Sequence, residues 1–111
     1  MAGYLIANID VKDAAKFEEY RQKVVPVIEK FGGRYLVRGG ELRRLEGNLP
    51  LSRLVILEFP TIDAAQKFYD SAEYAPILKL RLDSTRSEVV LVEGYSARSG
   101  LPQRVQSSRF G

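Results

Sequence analysis

A chain of 111 residues, 45% apolar and 28% charged, has the size and composition of one globular domain with one core. It contains no histidine and no cysteine, which excludes disulfide frameworks, Ser-His-Asp and Cys-His nucleophiles, soft-metal sites and histidine-ligated haem. The net charge of +3 lies entirely in residues 96–111, where Arg98, Arg104 and Arg109 have no acid beside them; a neutral body with a short basic tail lacks the clustered charge of a nucleic-acid binder.

The N-terminus leads directly into Tyr4-Leu5-Ile6-Ala7-Asn8-Ile9, a short β-competent run, with no basic leader segment before it. No apolar run approaches the ~20 residues of a membrane span, and a cytoplasmic location is the default expectation. From Asp13, a candidate N-cap, Phe17, Tyr20, Val24, Ile28 and Phe31 recur at helical spacing up to Gly32. Pro26 lies within that helix and predicts a kink. Arg34–Arg38 reads as a strand, Gly39-Gly40 as a bulge or tight bend, and Glu41–Glu46 as its extended continuation.

After the turn Gly47-Asn48-Leu49-Pro50, Arg53–Phe59 is the clearest strand. Thr61 caps a helix carrying Ala64, Ala65, Phe68 and Tyr69, which Ser71 breaks. A further helical stretch places Tyr74, Ile77, Leu78 and Arg81 on one side, with Pro76 in its first turn. Glu88–Tyr95 is the last strand. The tail, 96–111, has no periodicity and is expected to be mobile unless a partner holds it.

Strand, helix, strand, strand, helix pair, strand is the ferredoxin-like βαββαβ order: an α+β domain over 1–95 with helices on one face of an antiparallel sheet. Leu5, Ala7 and Ile9 share one face with Val55, Leu57 and Phe59 and fit under the helices. The opposite face mixes Ile6, Leu36, Leu54 and Ile56 with Asn8, Arg38 and Glu58. Contiguous apolar area on a face without helices marks an interaction surface, and a second copy of the chain is the simplest cover. An RNA-recognition reading of the same strand order fails, because the open face of the third strand offers Leu54, Ile56 and Glu58 where stacking aromatics are needed.

The stretch Phe31–Glu41 (FGGRYLVRGGE), together with Leu45–Asn48, Arg53–Pro60, Tyr69–Pro76 and Leu80-Arg81, resembles the bacterial family of unknown function DUF1330 over roughly residues 3–95. The resemblance implies a dimeric α+β barrel, in which two ferredoxin-like sheets face each other and enclose a cavity. It brings no catalytic residues and no cofactor.

Within that picture Asn8, Arg38 and Glu58 are the candidate catalytic or ligand-binding residues, with Arg81 a fourth candidate for ligand binding. A carboxylate among aliphatic neighbours can have a raised pKa and act as acid or base, and an arginine beside it can orient an anion. The competing reading is an Arg38–Glu58 pair that only fixes strand or subunit register, with Arg81 snorkelling. Tyr20 and Tyr74 read as core aromatics with a wet hydroxyl. Arg34, Arg38, Arg43, Arg44 and Arg53 form a solvated cluster unless several of them converge. The expected function is binding of a small anionic or aromatic metabolite in the inter-sheet cavity of a homodimer. The alternatives are a cofactor-free oxygenase or isomerase acting on a carbonyl-containing molecule, and a structural homodimer with no ligand. Neither a metal nor a nucleic acid nor a membrane is expected as a partner.

Overall fold

The computed structural model describes residues 1–95. Strand β1 (Gly3–Val11) is followed by helix α1 (Ala14–Lys30), strands β2 (Arg34–Arg38) and β3 (Leu54–Phe59), helices α2 (Ile62–Asp70) and α3 (Ala75–Ser84), and strand β4 (Thr85–Glu93). The four strands make one antiparallel sheet in the order β2-β3-β1-β4. With the helices on one face, this is the ferredoxin-like α+β fold. Among the described residues, no helix is long and apolar enough to cross a membrane.

The helix ends follow from local chemistry. Asp13 accepts a hydrogen bond from the Lys16 N–H at 3.1 Å, and the Thr61 hydroxyl accepts one from the Ala64 N–H at 3.0 Å; each satisfies a backbone donor that a helix N-terminus leaves open. At the end of α1, Gly32 takes φ +83°, a conformation other residues rarely adopt. It lets the Gly33 N–H return to the Ile28 carbonyl at 2.9 Å. Pro26 sits inside α1 without dividing it.

Strict alternation in β1 and β3 buries Leu5, Ala7, Ile9, Val55, Leu57 and Phe59 under the helices. Phe17, Val24 and Ile28 of α1 and Ala65 and Phe68 of α2 close over them. The Phe68 ring lies 5.2 Å from Phe59 and 4.5 Å from Tyr74 between centroids. A Phe-to-Ala change at such a site costs about 3–5 kcal/mol.

Three predicted elements differ. The extended continuation over Glu41–Glu46 does not form, and 39–53 is a loop. The Gly39 N–H to Leu54 carbonyl bond at 2.9 Å closes the ladder, and the next strand-like donor, the Ser52 N–H, bonds to the Asn8 side chain instead. Gly39 takes φ +73° at a bend, the second of the two forms expected of Gly39-Gly40, while the bulge falls at Leu36, where the register steps from Tyr35 opposite Leu57 to Val37 opposite Ile56. Strand β4 begins at Thr85 and ends at Glu93. The predicted mobile tail lies outside the described residues.

Candidate functional site

Two of the predicted residues lie on the open face of the sheet. Glu58 sits opposite Tyr4 and Arg34 and accepts hydrogen bonds from Arg34 Nε at 2.7 Å and the Tyr4 hydroxyl at 3.1 Å. The Arg34 bond, helped by Tyr4 and opposed by desolvation, lowers the Glu58 pKa. The raised pKa expected of an acid or base is therefore absent. Asn8 serves the long loop: its side chain donates to the Pro50 carbonyl at 3.1 Å and accepts from the Ser52 N–H at 2.8 Å.

Arg38 is not with them. Directly opposed residues in an antiparallel pair share a face, and Arg38 lies opposite the buried Val55. Simple alternation from Arg34 puts Arg38 on the open side; the extra residue at Leu36 reverses the phase, because one inserted residue flips every later side chain. Its guanidinium stacks over the Tyr35 ring, 4.5 Å from the centroid, on the helix side. The predicted Arg38–Glu58 pair does not exist.

What Arg38 joins is a cavity between sheet and helices, lined on its apolar walls by Leu5, Ala7, Ile9, Phe17, Val55 and Phe68. Its volume is about 40 Å³, room for roughly two or three waters. Four arginines converge on it, Arg21 from α1, Arg38 from β2, Arg53 ahead of β3 and Arg81 from α3, with four tyrosines, Tyr20, Tyr35, Tyr69 and Tyr74. Among the described residues, no carboxylate lines it.

Arg81 is the deepest cation, 3% exposed. Its guanidinium donates to the Ser87 hydroxyl on β4 and, at 3.5 Å, to the Tyr69 hydroxyl. Burial opposes its charge, but the phenol oxygens of Tyr74, Tyr20 and Tyr69 outweigh that and its pKa is raised. It forms no ion pair among the described residues, nor do Arg38 and Arg53. Residues 96–111 contain no Asp or Glu. Arg21 is bound outward by Glu18 at 2.8 Å. Arg53 stacks over Phe17 at 5.6 Å, and its guanidinium occupies the space a Cβ on Gly39 would need, at 2.7 Å. The Nε atoms of Arg21 and Arg53 are buried without a hydrogen-bond partner. A buried donor left open costs about 1–3 kcal/mol, more on a charged group.

The phenols complete the lining. The hydroxyls of Tyr20 and Tyr74 lie 2.9 Å apart. Two O–H groups sharing one bond leave one hydroxyl hydrogen free to turn to the cavity. Burial first, then the neighbouring Tyr74 phenol, pushes the Tyr20 pKa well up, and burial raises Tyr35. Both are neutral donors at neutral pH. Among the described residues, no three His, Cys, Asp or Glu side chains converge to hold a metal ion.

The family model for the domain of unknown function DUF1330 matches residues 2–95. The chain belongs to this family. A DUF1330 chain carries no assigned activity from that membership, and no curated protein matches this one in sequence. Among solved structures, a protein of unknown function from Rhodopseudomonas palustris superposes with a TM-score of 0.70 at 16% identity, covering 86% of this chain and 84% of that one. SnoaB, a cofactor-independent oxygenase from Streptomyces nogalater, gives 0.56 at 18% identity, with 92% and 98% covered. A hypothetical Arabidopsis thaliana protein gives 0.59 at 12% identity, with 86% and 90% covered. These likenesses establish the shared fold.

Sequence reasoning placed Arg81 on the same side of its helix as Tyr74, Ile77 and Leu78, as a candidate for the inter-sheet cavity; Arg81 instead lines the cavity between sheet and helices. The same reasoning asked whether the arginine cluster converges. Arg38 and Arg53 do; Arg34, Arg43 and Arg44 do not line the cavity. Arg21, Tyr35 and Tyr69 were missed as site residues. The position of Arg21 one residue from Tyr20 on the helix was the available signal.

Proposed function

We propose that this DUF1330 protein binds a small anionic molecule with an apolar or aromatic body in the cavity between its sheet and helices. The observation that carries this reading is Arg81, buried among phenols and aliphatic walls with no carboxylate to balance it. A buried guanidinium without a counter-ion is costly, and an arginine fork suits a carboxylate or enolate in two-point contact. The cavity meant here lies within one chain, on the face opposite the predicted inter-sheet space. At about 40 Å³ it admits a metabolite only as the exposed Arg38 and its neighbours swing outward.

The test is thermal shift and titration with benzoate, on wild type and Arg81→Met. Benzoate should raise the wild-type Tm, less so as salt is added. Arg81→Met should lose that response while its own stability stays within about 1 kcal/mol of wild type, since relief of an unbalanced buried charge offsets the lost hydrogen bonds. A loss of about 3 kcal/mol or more, the scale of a broken buried pair, with no benzoate response in wild type, would make Arg81 purely structural.

A second reading, an oxygenase- or isomerase-type enzyme on a carbonyl-containing molecule, is favoured by the spare phenolic hydrogen of the Tyr20–Tyr74 pair beside Arg81. That chemistry has a direction. The cavity offers acids and cations and no base with a pKa near neutrality, so it can stabilise an enolate and return a proton to it but cannot remove one. A substrate turned over here has to ionise readily by itself.

We also infer a homodimer through the open sheet face. Ile6, Leu54 and Ile56 lie on it beside Val90, 58% exposed, and Val92, 45% exposed, of the edge strand β4, an apolar stripe that a second copy would bury.

A further inference from the structure

The cations of the cavity fall into two groups. Arg81 is bonded to Ser87 of β4, one edge strand, while Arg38 belongs to β2, the other. The backbones of those strands are three strand spacings apart, roughly 14 Å, and both side chains reach inward over the same cavity. Arg53 lays its guanidinium on Gly39, the residue after Arg38, whose φ of +73° and lack of a Cβ leave room for it. The Tyr20–Tyr74 pair, its hydroxyls 2.9 Å apart, lines the same cavity.

Glu18 is paired with Arg21, and Arg38 and Arg53 line the β2 end of the cavity with no ion pair among the described residues. Their guanidinium groups stack on Tyr35 and Phe17, and the nearby Glu18, whose pKa Arg21 and more weakly Arg38 lower, is already hydrogen-bonded to Arg21. One of them, Arg53, has its Nε buried without a partner. An anion on Arg81 alone leaves these charges repelling each other. Resting on the anion-binding reading above, we infer that the cavity selects a molecule with two anionic groups, one taken by Arg81 and the other by Arg38 and Arg53, joined by a short apolar or aromatic spacer lying along the phenols. Dicarboxylates and carboxylated phenolates or enolates are the class this geometry recognises.

Calorimetric titration of the full chain with matched pairs tests this: benzoate against the three benzenedicarboxylates, and butyrate, valerate and hexanoate against succinate, glutarate and adipate. Pairing by skeleton cancels the apolar contribution. At least one dianion should bind about tenfold or more tighter than its monoanion, the scale of one added charge-assisted contact. In the Arg38→Gln/Arg53→Gln double variant that ratio should collapse to about twofold or less with monoanion affinity retained, which also reports that the variant is folded. Monoanions that bind while no dianion binds tighter overturn the two-anion inference and leave the single-anion reading standing. A dianion preference that survives the double variant overturns the assignment to Arg38 and Arg53. Wild type that binds neither kind overturns both readings.

Discussion

Tyr20 and Tyr74 share a hydrogen bond within an environment that keeps phenols neutral, and this has a measurable consequence in alkali. Burial, then the Tyr74 phenol, raises the Tyr20 pKa above its ordinary 10.0. A phenol whose folded pKa exceeds its unfolded value contributes stability that is complete below about pH 10 and lost as pH climbs toward the folded pKa. Melting temperature should therefore fall above about pH 10, and Tyr20→Phe should fall less steeply over the same range, followed by phenolate absorbance and circular dichroism. An equal slope in both proteins means that Tyr20 is not the titrating group. At the same scale, Arg38 and Glu58 face opposite sides of the sheet, so the Arg38→Met/Glu58→Leu double should show the sum of the single effects, with coupling within about 0.5 kcal/mol of zero. Rescue in the double would contradict the observed faces.

At the scale of elements, the bulge in β2 and the loop after it decide where the charges go. One inserted residue carries Arg38 from the open face to the cavity, and the loop 39–53 then returns Arg53 to the same place. Asn8 holds that return by its bonds to Pro50 and Ser52. Asn8→Ala should cost about 1–2 kcal/mol from the two lost bonds and speed amide exchange at Ser52 without altering exchange in β1. Unchanged protection at Ser52 would mean that the loop is held by other contacts. The β1 and β3 alternation and both helix caps were legible, because each depends on neighbours within a few residues. The bulge was not, since Gly39-Gly40 is the stronger local signal and Leu36 carries none.

At the scale of the molecule, the fold has two different faces. The helix face encloses the acid-free cavity. The open face carries the apolar stripe of Ile6, Leu54, Ile56, Val90 and Val92, interrupted by the Arg34–Glu58–Tyr4 cluster. A homodimer through that stripe predicts that Ile56→Lys, which sets a charge in the contact, shifts wild-type dimer toward monomer or aggregate in light scattering at micromolar concentration. A monomeric wild type ends the dimer proposal, and the cavity, being built within one chain, stands without it. Activity, where found, is expected to need no stoichiometric Zn, Fe, Cu or Ni, because the whole chain has no His or Cys to hold them. Elemental analysis of protein purified without chelator checks this, and one equivalent of any of these metals would refute it.

The order of strands and helices, the antiparallel ferredoxin-like sheet and the set of residues under the helices were determined by sequence alone. They rest on periodicity, capping and turn residues, whose physics is local and repeats along the chain. Family membership was legible as well, in short motifs spread from Phe31 to Arg81. The site was decided by tertiary structure. Arg21, Arg38, Arg53 and Arg81 come from four separate segments, and nothing local to any one of them shows that they converge. The packing of helices on sheet brings three of them together, and the sheet register, reversed at one residue in β2, adds Arg38 to a cavity that no carboxylate of the described residues lines. That register is a property of paired strands, and no one strand carries it.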